Sequence, residues 1–223
     1  MGSTDRYQSV ADFPATIPVF PLSGVLLLPR CQVPLNIFEP RYLQMVDDVL
    51  RGARIIGLVQ PDEAASHGND EKPALMQIGC AGRLTSYNET PDGRTLITLT
   101  GISRFRITGE LETTTPYRQC TVDWNEFADD LKPEFGADHV SRDRLLDILK
   151  QYLETHGLQA DWRTIKLSTN EALVNSLSLI SPYGPREKQA LLEAKTLEDR
   201  NQMLIALTEV ALQQISPNET TVQ

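Results

Sequence analysis

The sequence predicts an α+β protein: an N-terminal barrel-like β unit carrying one or two helices, followed by a C-terminal α-helical bundle. Three observations carry this. Apolar β-formers between Phe13 and Ile37 are interrupted by prolines at 14, 18, 21, 29 and 34, and proline confines strands to edges, strand starts and bulges. Stretches of period-two alternation with glycines fill residues 75–124. From Asp129 onward, leucines recur at helical spacing behind capping residues. The segments that follow are 1–16 as an N-terminal extension, 17–127 as the β-rich domain, 128–216 as the bundle and 217–223 as a frayed tail.

Each element has a local reason. Ile17-Pro18-Val19-Phe20-Pro21-Leu22 and the stretch to Pro29 read as short bent strands, with Ser23-Gly24 as a tight connection between them. At Phe38-Glu39-Pro40-Arg41-Tyr42 the period changes. Proline suits the first helical position, and Tyr42, Met45, Val46, Val49 and Leu50 form one helical stripe that should end at Arg51, with Gly52 as the stop. Ile55–Gln60 is a buried strand, and Pro61–Pro73 is an exposed polar loop in which His67 is expected to be solvated. Strand character resumes at Leu75 and runs to Tyr87. Pro91-Asp92-Gly93-Arg94 is a hairpin turn. The return strand 95–100 is expected to bend at Gly101 before Ser103–Ile107, where alternation directs Phe105 and Ile107 to one face and Arg104 and Arg106 to the other. Tyr117–Trp124 closes the β-rich part.

In the C-terminal part, Ser141 caps a helix with the stripe Leu145, Leu146, Leu149, Tyr152, Leu153, stopped by Gly157. Ser168-Thr169-Asn170-Glu171 has capping-box spacing before a helix that must break at Pro182. Gly184-Pro185 starts a helix to Ala194, and Thr196-Leu197-Glu198-Asp199 starts the last, which carries Met203, Leu204, Leu207, Val210 and Ala211. These leucine stripes read as core.

Composition narrows the function classes. The 223 residues include 40% hydrophobic and 23% charged, with a net charge of −9, of which −2 falls in residues 1–120 and −7 in 121–223. Such acidity opposes non-specific nucleic-acid binding. No apolar run reaches the ~20 residues of a membrane helix, and Met1–Asp12 lacks the features of a secretory signal, so the expected location is the cytoplasm. The three widely spaced cysteines, Cys31, Cys80 and Cys120, fit reduced thiols better than a disulfide framework. The histidines at 67, 139 and 156 have no metal-binding spacing, no C-x-x-C occurs, and no cofactor is implied. There is no G-x-x-x-x-G-K-[ST] phosphate cradle. Gly101-Ile102-Ser103-Arg104-Phe105 lacks the second glycine of a nucleophile elbow, so Ser103 reads as structural. Cys31 beside Arg30 has no placed base.

Four landmarks in order, the Pro-Leu opening at Pro21-Leu22, Phe38-Glu39-Pro40-Arg41-Tyr42, Ile78-Gly79-Cys80-Ala81, and Pro91-Asp92-Gly93-Arg94 ahead of Gly101-Ile102-Ser103-Arg104-Phe105, make Ile17–Trp124 resemble the Lon N-terminal substrate-binding domain family. The resemblance implies a PUA-like pseudobarrel followed by a helical bundle, and a region that in full-length Lon helps select polypeptide substrates ahead of an ATPase motor and a Ser-Lys protease. Neither of those signatures occurs here. The expectation is a stand-alone bacterial Lon-domain protein without catalytic residues. It would bind unfolded or specific client polypeptides, acting as a substrate-recognition or adaptor protein in protein quality control, with a separate ATP-dependent protease as a further partner. Its polypeptide-binding candidates are Leu22, Leu28, Phe38, Arg41 and Tyr42. PUA-like folds also bind RNA, which makes Arg83, Arg104 and Arg106 candidate phosphate contacts under an alternative reading. A hydrolase with an unrecognised site is the weakest alternative.

Overall fold

The computed structural model describes residues 7–65 and 72–215; His67 lies outside them. The chain divides into two compact units, Met1–Pro133 and Glu134–Gln223.

The first unit is a six-stranded mixed sheet: β1 (Thr16–Pro21), β2 (Gln32–Ile37), β3 (Ile55–Val59), β4 (Ile78–Glu89), β5 (Thr95–Glu110) and β6 (Arg118–Asp123), in the order β2-β5-β4-β3-β1-β6. Only β1 and β3 run parallel. The far half of β5 also pairs with β6 over Arg106–Glu110, so the sheet coils back onto itself as a pseudobarrel, joined there over a few residues rather than closed evenly. The prolines sit where the ladders allow. Pro34 is on β2, the end strand, and Pro18 lies before β1 reaches β3, where β6 is its only strand neighbour. The expected helix is α1 (Pro40–Arg51), with Pro40 in its first turn and Gly52 at its C-cap. The left-handed residue beyond it is Arg54 (φ 61°), not a glycine.

Residues 95–110 form one strand rather than the two expected, with a bulge opposite Ala81/Gly82 where Gly101 falls. Gly101 is required by close approach: a Cβ there would lie 2.0 Å from the Leu28 carbonyl oxygen. Phe105, fully buried, anchors the interior. Its ring lies across Gly57 and Gly79 and meets Trp124 edge-on at 5.7 Å. Trp124 stacks on Phe13 at 4.5 Å and donates its indole N–H to the Pro14 carbonyl at 3.0 Å. A 3-10 segment, Asn125–Leu131, belongs to this unit rather than to the bundle, because Asp130 accepts from both the backbone N–H and the guanidinium of Arg104.

The second unit holds α2 (Arg142–Thr155), α3 (Trp162–Leu167), α4 (Asn170–Ile180), α5 (Pro185–Glu193) and α6 (Leu197–Ile215). α6 packs against α2, α4 and α5, and its Leu197, Leu204 and Ile205 are buried, as are Leu145, Leu173 and Leu191 on the other three helices. Its start is a reciprocal capping box: Thr196 Oγ1 accepts from Asp199 N–H at 3.0 Å and Asp199 Oδ2 accepts from Thr196 N–H at 3.1 Å. α4 is capped by Thr169 instead of Ser168, its hydroxyl accepting from Ala172 N–H. Glu171 then turns to bond the backbone N–H of Glu134 at 2.8 Å. Asp161 caps α3, a helix the periodicity does not signal. Among the described residues no helix is long and apolar enough to cross a membrane.

Candidate functional site

The junction of β2 and α1 fixes its side chains by backbone geometry. Strand alternation turns Ile37 inward and Phe38 outward, so that Ile37 is 2% exposed and Phe38 62%. Glu39 is the N-cap and Pro40 opens the helix. Arg41 bonds the Glu39 carboxylate through Nε at 2.9 Å and lies 4.6 Å from the centroid of the Tyr42 ring. Tyr42 is buried against Phe20, ring centroids 4.2 Å apart, and that burial pushes its hydroxyl pKa up.

Beside this corner lies a groove of about 900 Å³ lined by Pro21, Arg41, Tyr42, Lys72, Leu111, Tyr117 and Arg118, with further prolines on its walls. Tyr117 donates its hydroxyl to Asp48 Oδ2 at 2.9 Å; burial first, then that carboxylate, push its pKa up to about 12. Arg118 forms a two-armed pair with Glu110 at 2.6 and 2.8 Å, and its guanidinium holds the Glu110 carboxyl below the usual range. The groove therefore presents neutral hydroxyls, proline and aromatic faces, the paired charges of Arg118 with Glu110 and of Arg41 with Glu39 beside it, and the side chains of Lys72 and Glu112. Such a lining offers apolar and polar contacts side by side to a bound chain.

The five candidate polypeptide-binding residues divide. Phe38 and Arg41 are exposed, Leu22 is half-buried with its backbone N–H on the Val59 carbonyl, and Tyr42 shows the groove one edge. Leu28 is fully buried: its carbonyl is pressed against Gly101, and its side chain belongs to the core. Leu111, Tyr117 and Arg118 join the groove unforeseen. Their only signal is the polar run Glu112–Pro116 between two strands.

The arginines are committed elsewhere. Arg104, expected on an outward face, is 5% exposed; it pairs with Asp130 at 2.8 Å and lies over Phe127 at 4.5 Å. Arg106 pairs with Glu126 at 2.7 Å and Arg83 donates to the Tyr7 hydroxyl at 3.1 Å. Ser103 is fully buried and donates its hydroxyl to the Arg104 carbonyl. Cys80 and Cys120 are buried and Cys31 is half-buried, and none of the three is in a disulfide; burial pushes the Cys120 thiol up to about 11. Among the described residues, no cluster of three or more His, Cys, Asp or Glu could hold a metal ion. In the helical unit, Leu149, Tyr152, Leu153, Leu158, Ile180 and Tyr183 line an apolar groove of about 280 Å³, so part of the expected α2 core stripe faces an open cleft.

Comparison with known proteins fits this architecture. The family model described as the ATP-dependent protease La (LON) substrate-binding domain matches residues 16–209. Lon protease of Flavobacterium johnsoniae is 25% identical over 211 residues, which cover 92% of this chain and 25% of that protein. Lon protease of Parabacteroides distasonis is 28% identical over 211 residues, covering 91% and 24%. The chain thus spans about a quarter of the length of these curated relatives. The crystal structure of a Lon N-terminal domain protein from Xanthomonas campestris superposes with a TM-score of 0.58 at 25% identity, covering 86% of this chain and 97% of that one. The N-terminal domain of Mycobacterium avium complex Lon protease shares the fold, with a TM-score of 0.62 at 15% identity over 87% of this chain and 98% of that one. With the family model matching residues 16–209, most of the chain, this protein belongs to the Lon substrate-binding domain family.

Proposed function

We propose that this chain is a non-enzymatic polypeptide-binding module, whose site in the β-rich unit is built from Phe38, Arg41, Tyr42 and Leu22 together with the adjoining groove. The observation that carries the reading is Phe38: a large apolar ring, 62% exposed, held on a rigid corner between a strand and a proline-started helix. Exposed aromatics of this kind anchor interfaces because they bury much area at little cost in side-chain entropy. Membership of a substrate-binding family supports the same reading. The internal pairing of Arg104, Arg106 and Arg118 favours polypeptide over RNA, since phosphate contact would first have to break those pairs. The reading extends to a cytoplasmic adaptor that passes bound clients to a separate ATP-dependent protease, a role that kinship with Lon proteases supports.

The test is binding of a labelled, permanently unfolded polypeptide, reduced carboxymethylated α-lactalbumin, followed by fluorescence anisotropy. Phe38→Ala should weaken binding about tenfold or more while circular dichroism and melting stay near wild type. Unchanged binding would remove Phe38 from the site, and loss of binding together with folding would return it to the core.

A further inference from the structure

The backbone of β2 has a direction that the hydrogen bonds at its start reveal. Arg30, at φ 66°, follows Pro29 in a turn closed by Cys31 N–H on the Leu28 carbonyl at 3.1 Å. Arg30 N–H donates to the Gly101 carbonyl and Gly101 N–H donates to the Cys31 carbonyl, both at 2.8 Å, a bulge with two residues facing one. From Cys31 on, antiparallel pairing alternates. Val33, Leu35 and Ile37 turn their N–H and C=O groups to Leu99, Ile97 and Thr95, whereas Gln32, Pro34 and Asn36 turn theirs away from β5. Pro34 fits this phase, because the N–H it lacks would have pointed outward. Among the described residues no strand lies on that outer side, and the side chains of Gln32, Pro34 and Asn36 are exposed.

We propose that this open edge takes an extended segment of a client polypeptide as a seventh strand, which deepens the binding reading above and rests on it. The edge presents two donors, the N–H groups of Gln32 and Asn36, and three acceptors, the carbonyls of Gln32, Pro34 and Asn36. That alternation of partial charge at strand spacing is complementary to the backbone of an extended chain of any sequence, which suits a site that must accept varied clients. A second copy of this chain fits worse. Two β2 edges laid antiparallel with Pro34 opposite Pro34 would bring two carbonyls together without a donor. The edge also leads to the proposed anchor. Phe38 shares the outward face with Asn36, and Leu96, the cross-strand partner of Asn36, is 44% exposed beside it. A client strand bonded to Gln32–Asn36 would lay alternate apolar side chains along these two.

The experiment is amide hydrogen exchange with and without saturating reduced carboxymethylated α-lactalbumin, joined to affinities of two variants. The Gln32 and Asn36 amides should slow at least about tenfold on binding, while Leu35 and Ile37, bonded within the sheet, change little. Pro34→Val supplies the missing outward donor and should tighten binding about fivefold, the worth of one hydrogen bond, and Asn36→Pro should weaken it by a similar factor. Neither change touches the β5 ladder, and thermal melting verifies this. Binding with protection confined to α1 and the groove, and no gain from Pro34→Val, would overturn the edge proposal while leaving the polypeptide-binding reading intact. Absence of binding would overturn both. Protection of the same amides without the probe, with dimers in sedimentation, would overturn it in favour of self-pairing.

Discussion

Phe105 and the two glycines beneath its ring make a quantitative test of how the interior of the β unit packs. A Cβ at Gly57 would lie 2.8 Å from Phe105 Cζ and 2.9 Å from Ile17 Cδ1, both ends of side chains. A Cβ at Gly79 would lie 2.5 Å from the same Cζ but also 2.6 Å from the Leu58 carbonyl oxygen, part of the backbone that pairs β3 with β4. Carbon contacts are optimal at roughly 3.5–4.0 Å, so each alanine intrudes by about 1 Å. Overpacking of this size costs about 1–3 kcal/mol, and Gly79→Ala should stand at or above the top of that range because a ladder carbonyl cannot swing aside. Phe105→Leu removes the offending Cζ and itself costs less than the roughly 3–5 kcal/mol of Phe→Ala. Combined with Gly57→Ala it should recover about 1–2 kcal/mol relative to additivity. Combined with Gly79→Ala it should recover less than half the cost of that alanine, since the Leu58 contact persists. The assay is urea denaturation followed by tryptophan fluorescence in a Trp162→Phe background, which leaves Trp124, 5.7 Å from the Phe105 ring, as reporter of the β unit. Full rescue of Gly79→Ala by Phe105→Leu would refute the reasoning, because it would mean the β3–β4 backbone yields freely.

Removing Asp130 should be severe: Asp130→Ala leaves the Arg104 guanidinium buried without its main partner and should cost about 3–5 kcal/mol, read in the same denaturation assay. The Glu110–Arg118 pair gives a pH signature. Because the folded pKa of Glu110 lies below its unfolded value, its contribution is complete above the usual carboxylate range and is lost as pH falls through the folded pKa. Glu110→Gln should therefore destabilise at pH 7 by at most about 1 kcal/mol, the pair being partly exposed, and progressively less as the pH falls below the usual carboxylate range. Thr196→Ala should lower the stability of the helical unit by about 1 kcal/mol through loss of the capping box, measured by circular dichroism. In a thiol titration with a chromogenic disulfide, Cys31 should react first, and buried Cys80 and Cys120 only on unfolding.

The parts of the fold legible in the sequence were those decided locally. Pro40, the stripe from Tyr42 to Val49 and Gly52 specify α1 to the residue, and Asp92-Gly93 specify the hairpin turn, with Gly93 at φ 80°. Thr196 and Asp199 mark the start of α6. What the sequence hid was decided across the chain. Gly101 reads as a bend, yet its smallness answers the Leu28 carbonyl, seventy-odd residues earlier, and β5 continues past it as one strand with a bulge. Arg104 reads as an outward charge by alternation, yet Asp130 covers it from the following 3-10 segment. In the candidate site, the exposure of Phe38 follows from its place after the buried Ile37, but a phenylalanine in an apolar strand reads equally well as core. Leu111 and Tyr117 enter the groove only because β5 and β6 pair.

That β1 lies between β3 and β6 bears on when this unit can fold. The partners of Ile17 and Val19 on β6, Cys120 and Arg118, are about a hundred residues downstream, and β5 must be in place for β6 to be held on its second side. The first strand therefore waits for the last. On a ribosome that makes roughly 5–20 residues per second, β1 emerges many seconds before β6 does, and in the interval its apolar edge has only β3 to cover it. High sequence separation of this kind slows folding to the millisecond-to-second range even after release, so the unit itself passes through a stage as an exposed, incomplete sheet.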